Sequence, residues 1–261
     1  MRLDDHVVLI TGAGSGIGAA GAKHFASRGA RVCLVDLQED GIQEQAEKLR
    51  QLEGDVGEVM TQTANVLNED EIEAAIEATV AEWGQLDVTW ANAGIGGMNA
   101  PVDKIKAEEW DEVLEVNLRG TFLTIKHAVK HMKERRSGSI IVTSSTSGNR
   151  TFTDIGASPY SVSKAAQVSL VKCLAVELAD HGIRINAICP GKTDTALGES
   201  DESRAEEELT EPLEHPEGNM PLEDDDELDP DDVALAAIFL TIASAVTATE
   251  IYADGGQGLV T

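Results

Sequence analysis

Short apolar runs alternate with amphipathic stretches along the chain. Five of these runs predict buried strands, at residues 6–11, 31–36, 87–92, 139–144 and 184–189, and two weaker candidates lie at 57–63 and 249–253. Runs that are apolar on both faces are typical of a parallel sheet covered by helices on each side. Because strands and helices alternate without an internal repeat or a linker, residues 1–261 are predicted to form a single doubly wound α/β domain with a parallel sheet of about seven strands.

Polar residues predict where three of the helices begin or end. Asn68, with Glu71 three residues later, forms a capping-box pattern, and Gly84 follows as a C-terminal stop. Ser158-Pro159 and Asp229-Pro230 each predict an N-cap followed by a proline at the first helical position.

A glycine-rich loop joins the first predicted strand to the first helix. Residues 11–18 read Thr-Gly-Ala-Gly-Ser-Gly-Ile-Gly, and Asp36 ends the second strand 18 residues past Gly18. Such glycines let the backbone approach a pyrophosphate at a helix N-terminus, and the acid can hydrogen-bond the adenosine ribose. The alternative is a structural turn with a solvated aspartate. The spacing favours a Rossmann-type dinucleotide site, and a carboxylate without a basic residue at positions 13, 15 or 37 favours NAD over NADP.

Tyr160 and Lys164 are four residues apart on a predicted helix, so they lie on one face. A phenol with a pKa near 10 is a poor base at neutral pH, and a nearby ammonium lowers that pKa by favouring the phenolate. Taken alone, this spacing is common, and an exposed Tyr/Lys pair is the alternative. Its significance depends on the other motifs of the chain.

Seven motifs in one order resemble those of the short-chain dehydrogenase/reductase family over nearly the whole chain. They are Thr11-Gly12 through Gly18, Asn92-Ala93-Gly94, Asn117, Ser144-Ser145, Tyr160 with Lys164, Pro190-Gly191 with Thr193 and Thr195, and Asp254-Gly255-Gly256. The resemblance implies that the dinucleotide is bound by Gly12, Ser15, Gly16, Ile17, Gly18, Asp36, Asn65, Val66, Asn92, Ala93, Gly94, Tyr160, Lys164, Pro190, Gly191, Thr193 and Thr195.

The resemblance also implies four catalytic roles. Tyr160 would be the general acid/base, and Lys164 would hold the nicotinamide ribose and lower the pKa of the tyrosine. Ser145 would hydrogen-bond the substrate oxygen, and Asn117 would position a water that relays protons toward Lys164.

Two features depart from the family pattern. The catalytic serine usually lies 13 residues before the tyrosine, whereas Ser145 lies 15 before Tyr160 and Ser147 lies 13 before it. Two serines closing the strand, with a glycine three residues past the second, favour Ser145; Ser144 and Ser147 are lesser candidates. The family commonly has Asp-Val after the third strand, where this chain has Asn65-Val66, and an asparagine can still hydrogen-bond adenine.

The expected activity is that of an NAD-dependent oxidoreductase interconverting a secondary alcohol and a ketone, with a sugar, polyol, steroid-like or 3-oxoacyl substrate. The alternative is a non-catalytic dinucleotide-binding sensor or scaffold, which would not need the four catalytic residues together. A nucleotide-sugar epimerase or dehydratase would normally need a longer substrate domain. The resemblance further suggests a homodimer or homotetramer built through the helices that contain Asn117 and Tyr160.

Composition narrows the partners and the location. The chain has 47 acids and 20 bases, giving a net charge of −27 and a pI near 4.4, so nucleic acid and anionic membranes are not expected to bind. The N-terminus lacks a signal-peptide apolar region, and three cysteines without a pairing pattern indicate reduced thiols, which together predict a cytoplasmic protein. His127 and His131 are four apart but have no evident third ligand, so no metal site is predicted.

The charge is concentrated in one segment. Residues 199–232 contain 17 acids and Arg204 as their one base. The surrounding stretch 196–228 is too polar for a core and too long for an ordinary loop, which predicts an acidic substrate flap. Acids also exceed bases elsewhere in the chain, a pattern that indicates adaptation to high salt.

If the acidic surface is a salt adaptation, the thermal unfolding midpoint should rise between dilute and molar salt. Self-repulsion among the carboxylates is least screened at 0.01 M salt, where the Debye length is about 30 Å. Scanning calorimetry over a salt series measures the effect. A midpoint that stays flat or falls would contradict the salt adaptation.

Overall fold

The computed structural model describes residues 2–151, 156–195, 202–205, 220–222 and 227–259. Within them, seven strands form the main sheet and two short strands form a separate parallel pair. The main strands are β1 (Val7–Thr11), β2 (Arg31–Asp36), β3 (Val59–Thr63), β4 (Val88–Ala91), β6 (Gly138–Thr143), β7 (Ile183–Pro190) and β9 (Glu250–Ala253), and the pair is β5 (Met98–Asn99) and β8 (Glu202–Ser203).

Seven α-helices connect these strands in the described part of the chain. They are α1 (Gly16–Ala26), α2 (Glu39–Arg50), α3 (Glu69–Trp83), α4 (Ala107–Leu114), α5 (Thr121–Arg135), α6 (Ser158–Ala179) and α7 (Pro230–Ile242). A π-helical segment, Glu115–Gly120, joins α4 to α5, and a short 3-10 helix, Gln257–Leu259, follows β9.

The main sheet has the order β3-β2-β1-β4-β6-β7-β9, and every neighbouring pair is parallel. The predicted doubly wound α/β fold is therefore confirmed, including the two weaker strand candidates as β3 and β9. The chain builds β2 and β3 on one side of β1 and then crosses over to place β4 on the other side. The strand order therefore reverses direction at β1. A crevice at the carboxyl ends of such strands is where ligands bind in this fold.

Each strand contributes to two hydrophobic cores, because successive side chains point to opposite faces of the sheet. Val7 and Leu9 pack with α3, α5 and α6 on one face, whereas Val8 and Ile10 pack with α1, α2 and α7 on the other. This two-sided burial explains why the strands read as continuous apolar runs.

The predicted helix boundaries hold with two corrections. Asn68 caps α3 by accepting from the Asp70 N–H at 3.2 Å, but Glu71 binds the Asn68 side chain and the Asn65 N–H instead of the Asn68 backbone, so the capping box is not formed. The prediction that Ser158 is an N-cap is wrong, because Ser158 is already helical and Ala157 precedes it.

The other two boundaries are confirmed. Gly84 ends α3 with a left-handed backbone (φ 76°), a conformation that glycine adopts without a steric penalty. Asp229 caps α7 by accepting from the Asp231 N–H at 2.8 Å.

No helix in the described part of the chain has both the length and the apolar character needed to cross a membrane.

The two histidines of α5 face acids of α3. His127 is buried with its ring nitrogens 3.2 Å from Glu69 and Glu73, and His131 lies 3.2 Å from Glu77. They therefore belong to a polar contact between the two helices.

Candidate active site

The glycine-rich loop leaves β1 and enters α1 at the carboxyl edge of the sheet. Gly12 has φ 68° and Gly16 has φ 49°, both in the left-handed region that favours glycine. Helix α1 begins at Gly16 after an extended Ser15, so the N–H groups of its first turn, including those of Ile17 and Gly18, lie beside the loop. Such free N–H groups and the helix dipole favour an anion.

Close contacts around the loop favour glycine at two of its positions. A Cβ at Gly18 would lie 2.0 Å from the Gly12 carbonyl oxygen, and one at Gly16 would lie 3.0 Å from Cγ2 of Thr195. The loop, the start of α1 and the segment after β7 thus lie against one another. These residues fit a dinucleotide pyrophosphate, which needs close approach to backbone N–H groups.

Asp36 lies at the end of β2, beside the loop. Its Oδ2 accepts from the Gly14 N–H at 3.0 Å, and its Oδ1 accepts from the Gln38 N–H at 3.0 Å. Because each carboxylate oxygen can accept a second hydrogen bond, Asp36 can still accept from ribose hydroxyls.

Asn92 joins the ends of β1, β4 and β6 through a network that the sequence motifs did not reveal in full. Its side chain donates to the carbonyls of Thr11 and Gly12 at 3.2 Å and accepts from the Thr143 hydroxyl at 2.9 Å. The Thr11 hydroxyl accepts from the N–H groups of Asn92 and Ala93 at 3.1 and 3.2 Å. Thr11 belongs to the glycine-loop motif, whereas Thr143 could have been predicted only from its position at the end of β6.

Asn65 and Val66 follow β3 and shape the approach to α3. The Asn65 Oδ1 accepts from the Leu67 N–H at 2.9 Å, which forms a local turn. A Cβ at Gly120 would lie 2.8 Å from Val66, so Gly120 allows the π-helical segment to approach this turn.

Asn117 lies fully buried in the π-helical segment Glu115–Gly120. Its Oδ1 accepts from the Ile95 N–H at 2.8 Å, and its Nδ2 donates to the Ile95 carbonyl at 2.9 Å and to the Ser163 hydroxyl at 3.0 Å. These bonds join the segment after β4 to helix α6.

Tyr160 and Lys164 lie one turn apart on α6, as their spacing predicts. The Lys164 Nζ is 5.3 Å from the centroid of the Tyr160 ring and donates to the Thr143 carbonyl at 3.0 Å. Lys164 is 3% exposed, and this burial lowers the pKa of its ammonium to about 8. A lysine whose charged form is this costly is typical of a functional site.

The serines after β6 differ in their contacts. The Ser144 hydroxyl donates to the Lys164 carbonyl at 2.8 Å, so it holds α6 against β6. The Ser145 Oγ accepts from the Ser147 N–H at 3.1 Å, and Ser145 is 7% exposed. Asn149, in the longer loop that follows, donates to the Ser145 carbonyl at 2.8 Å and thereby folds that loop over the strand end.

The segment after β7 is held by the C-terminal part of the chain. Gly191, which follows Pro190, donates through its N–H to the Ala253 carbonyl at 2.9 Å, and the Thr193 hydroxyl donates to the Gly191 carbonyl at 2.9 Å. The Lys192 N–H donates to the Gln257 Oε1 at 2.9 Å.

Arg150 is a further residue of this edge that no motif indicated. Its guanidinium carbon lies 3.5 Å from the centroid of the Tyr252 ring, and Nη1 lies 3.8 Å from Oδ2 of Asp254. Asp254 also accepts from the N–H groups of Gly256 and Gly258 at 3.1 and 3.2 Å. The loop after Ser145 is therefore joined to the turn that holds the segment after β7.

The described structure thus places the predicted residues along one edge of the sheet. The glycine loop, Asp36 and residues 92–94 lie around β1, and Asn117, Ser145, Tyr160 and Lys164 lie around the ends of β4 and β6. This arrangement combines a helix N-terminus, which favours an anion, with a phenol, an ammonium and a hydroxyl. The predicted flap 196–228 lies mostly outside the described residues.

A family model described as enoyl-(acyl carrier protein) reductase matches residues 12–257. The chain is 36% identical to levodione reductase from Leifsonia aquatica over 259 residues, which cover 98% of this chain and 95% of that protein.

Solved structures agree with these sequence matches. A 3-ketoacyl-ACP reductase from Sinorhizobium meliloti superposes with a TM-score of 0.90 and 42% identity, covering 98% of this chain and 100% of that one. A 3-ketoacyl-(acyl-carrier-protein) reductase from Brucella melitensis, complexed with NADH, has a TM-score of 0.84 and 32% identity, covering 97% of this chain and 98% of that one.

Proposed function

This chain belongs to the short-chain dehydrogenase/reductase family of oxidoreductases, and we propose that it is an NAD-preferring enzyme that interconverts a secondary alcohol and a ketone with Tyr160 as general acid/base. The observation that carries this proposal is the buried Lys164 ammonium, 5.3 Å from the Tyr160 ring centroid. A protein that only binds a dinucleotide could use the ammonium to hold the ribose, but it has no need for a phenol beside that ammonium.

Each catalytic residue at the sheet edge has a separate role in the proposed reaction. Bound nicotinamide dinucleotide supplies the hydride acceptor or donor. In alcohol oxidation, Tyr160 as phenolate takes the hydroxyl proton while Ser145 hydrogen-bonds the substrate oxygen. Lys164 stabilises the phenolate by its charge and hydrogen-bonds the nicotinamide ribose. Ketone reduction reverses each step, with the phenol giving its proton to the oxygen.

NAD preference is proposed from Asp36. Its carboxylate is held by two backbone N–H groups at 3.0 Å, which fix a negative charge where a 2′-phosphate would lie. The neighbouring Leu37 is 58% exposed and offers no positive charge. The Brucella melitensis relative bound to NADH is consistent with this preference.

The acidic stretch 196–228 is proposed as a substrate flap within a single domain, 1–261. Two described contacts support its position on the substrate side. Strand β8 pairs with β5, which follows residues 92–94. Arg204, just after β8, forms a salt bridge with Glu109 of α4. The hydrogen bond from Arg204 lowers the pKa of the Glu109 carboxyl to about 2. The flap is thereby attached beside the segment that contacts Asn117.

A homodimer or homotetramer is proposed through the helices that carry Asn117 and Tyr160. On these helices Phe122 is 46% exposed, Val162 is 45% exposed and Val176 is 82% exposed. Phe122 also lines a groove with Leu114, Leu118 and Leu170, together with the charged residues Asp111, Glu115 and Arg119. Exposed apolar patches of this kind favour association.

A cytoplasmic location is proposed because Cys33, Cys173 and Cys189 are all unpaired thiols, as expected in a reducing compartment. The acidic surface is likewise proposed to be an adaptation to high salt.

Replacing Asp36 with Ala should narrow the preference for NAD over NADP. The unaltered enzyme should have a clearly higher kcat/KM with NAD, because the carboxylate accepts from the ribose hydroxyls and repels the 2′-phosphate. Steady-state kinetics with both cofactors measure the ratio, and Leu37→Ala, which leaves the charge in place, is the control. Equal or better use of NADP by the unaltered enzyme would contradict the assignment.

Tyr160→Phe should lower turnover by about 10²- to 10⁴-fold or more, because proton transfer by a positioned side chain typically accelerates a reaction by about that factor. Affinity for NAD should change little because the ring remains. Ser145→Ala should lower turnover with a modest effect on NAD binding, and Ser147→Ala should be milder. Turnover is measured beside calorimetric NAD binding for each variant.

Two outcomes would overturn parts of this account. If Tyr160→Phe kept most of the activity, the assignment of proton transfer to Tyr160 would be wrong. If Ser147→Ala were the more damaging serine variant, the assignment of Ser145 would be wrong.

A further inference from the structure

A cleft opens at the amino edge of the main sheet, opposite to the candidate active site. Its volume is about 450 Å³, and it is lined by the starts of β4, β6 and β7, by His6 before β1 and by the end of α7. Strand β6 has six residues, so at about 3.3 Å per residue it separates the cleft from the carboxyl edge by roughly 20 Å. None of the residues proposed to bind the dinucleotide or the substrate lines it.

Arg184 is a partly buried cation in this cleft that no motif includes. Its Nη1 donates to the carbonyls of Leu240 and Val246 at 2.6 and 3.3 Å, and its Nη2 donates to the Thr241 carbonyl at 2.7 Å. A guanidinium has five N–H donors, so Nε and one hydrogen of Nη2 have no partner within the described part of the chain.

No acid balances the charge of Arg184 among the described residues. Its partners are carbonyls at and just past the end of α7, and a helix C-terminus supplies only about half a negative charge. Burial lowers the pKa of the guanidinium, and no carboxylate opposes that shift. Buried charges are usually paired, so an anion is the complement that fits this guanidinium.

Asp87 also lines the cleft, but its carboxylate is already occupied. Its Oδ1 accepts from Nη1 of Arg135 at 2.8 Å. Its Oδ2 accepts from the Val7 N–H and from Nε2 of Gln85, each at 2.8 Å. Since Arg135 neutralises Asp87, the charge of Arg184 is left without a counterpart in the cleft.

Arg136 lies at the rim of the same cleft. A Cβ on Gly182, which lines the cleft, would lie 2.4 Å from the Arg136 carbonyl oxygen. Its Nη2 donates to the Asp180 carbonyl at 2.6 Å. Two guanidinium groups at this edge, those of Arg136 and Arg184, are thus held by carbonyls and not by carboxylates.

Neutral donors line the cleft beside Arg184. The Nδ1 of His6 is buried and has no hydrogen-bond partner among the described residues. Ser137 and Ser244 are exposed on the wall of the cleft. Hydroxyls, and an imidazole in the tautomer that carries its hydrogen on Nδ1, can donate to an oxygen without adding charge.

We propose that this cleft is a binding site for a small molecule that carries an oxyanion, with the oxyanion held by Arg184 and its other oxygens held by His6, Ser137 and Ser244. The volume falls in the range of small-molecule sites, roughly 300 to 1,000 Å³, so an attached carbon skeleton can be accommodated. Phosphate and carboxylate groups share this chemistry. The site is independent of the proposed reaction, which takes place at the other edge of the sheet.

Phosphate and citrate are the probes, each titrated into the whole protein against chloride at constant ionic strength. An anion that binds only the folded protein raises the thermal unfolding midpoint along a saturation curve. At about ten times the Kd, the midpoint should rise by roughly 3 to 6 °C for a chain of this size. A response to phosphate alone, to citrate alone or to both assigns the site to phosphates, to carboxylates or to oxyanions in general.

Two variants test whether the rise comes from the cleft. Arg184→Gln removes the charge but keeps an amide that can donate to the end of α7, and the saturable rise should disappear. Ser244→Asp places a like charge beside the anion and should weaken its binding at least about tenfold. It leaves the contacts of Arg184 with α7 in place, so the test remains available if Arg184→Gln folds poorly.

Ser27→Asp is the matched control. Ser27 is an exposed serine just past the end of α1, as Ser244 is past the end of α7, so the variant adds the same charge at a similar position. It should keep the full rise. Exclusion of phosphate or citrate from the protein surface also raises the midpoint, but without saturation and equally in all variants.

The glycine loop is a second place where phosphate can bind, so the titration is repeated with saturating NAD. A saturable rise that persists with NAD and is lost in Ser244→Asp supports the cleft. The site is excluded if neither anion gives a saturable rise or if NAD removes the rise. It is also excluded if Ser244→Asp and Arg184→Gln respond as fully as Ser27→Asp.

Discussion

A lysine ammonium buried at the carboxyl edge of a parallel sheet loses hydration that the surrounding protein must replace. Lys164 is in this position, and the loss of hydration lowers the pKa of its ammonium to about 8. The end of β6 binds it twice, through the Thr143 carbonyl at Nζ and through the Ser144 hydroxyl at the Lys164 carbonyl. The charge is therefore fixed in place, where it can act on Tyr160.

The rest of the edge is built around the strand ends that meet there. The Asn92 side chain connects β4 to β1 by donating to the carbonyls of Thr11 and Gly12. The same side chain connects β4 to β6 by accepting from the Thr143 hydroxyl. Asn117 then joins the segment after β4 to α6 by its bonds to Ile95 and Ser163. Through these bonds, the loop proposed to bind pyrophosphate is connected to the helix proposed to transfer protons.

The sequence predicted the sheet and most of the edge because both depend on local patterns. Apolar runs mark strands buried on two faces, and the glycines at 12, 16 and 18 are needed for conformations and contacts within a short segment. Contacts between distant segments leave no such pattern. Three contacts depend on how elements pack, so the sequence did not reveal them. They are the hydrogen bond from Gln167 to the Asn117 carbonyl, the stacking of Arg150 on Tyr252, and the hydrogen bond from the Asn65 N–H to Glu71.

The central claim, that the Lys164 charge lowers the pKa of Tyr160, can be tested directly because the chain has only two tyrosines. Burial and the bond to Glu250 raise the pKa of Tyr252 to about 12, so the two phenols should ionise in separate steps. In an ultraviolet absorbance titration of the cofactor-free protein, one phenol should ionise below pH 10, the ordinary value. That step should disappear in Tyr160→Phe and move to higher pH in Lys164→Met, while Tyr252→Phe removes only the later step. The absence of any phenol ionising below pH 10, or an early step unchanged in Lys164→Met, would contradict the account.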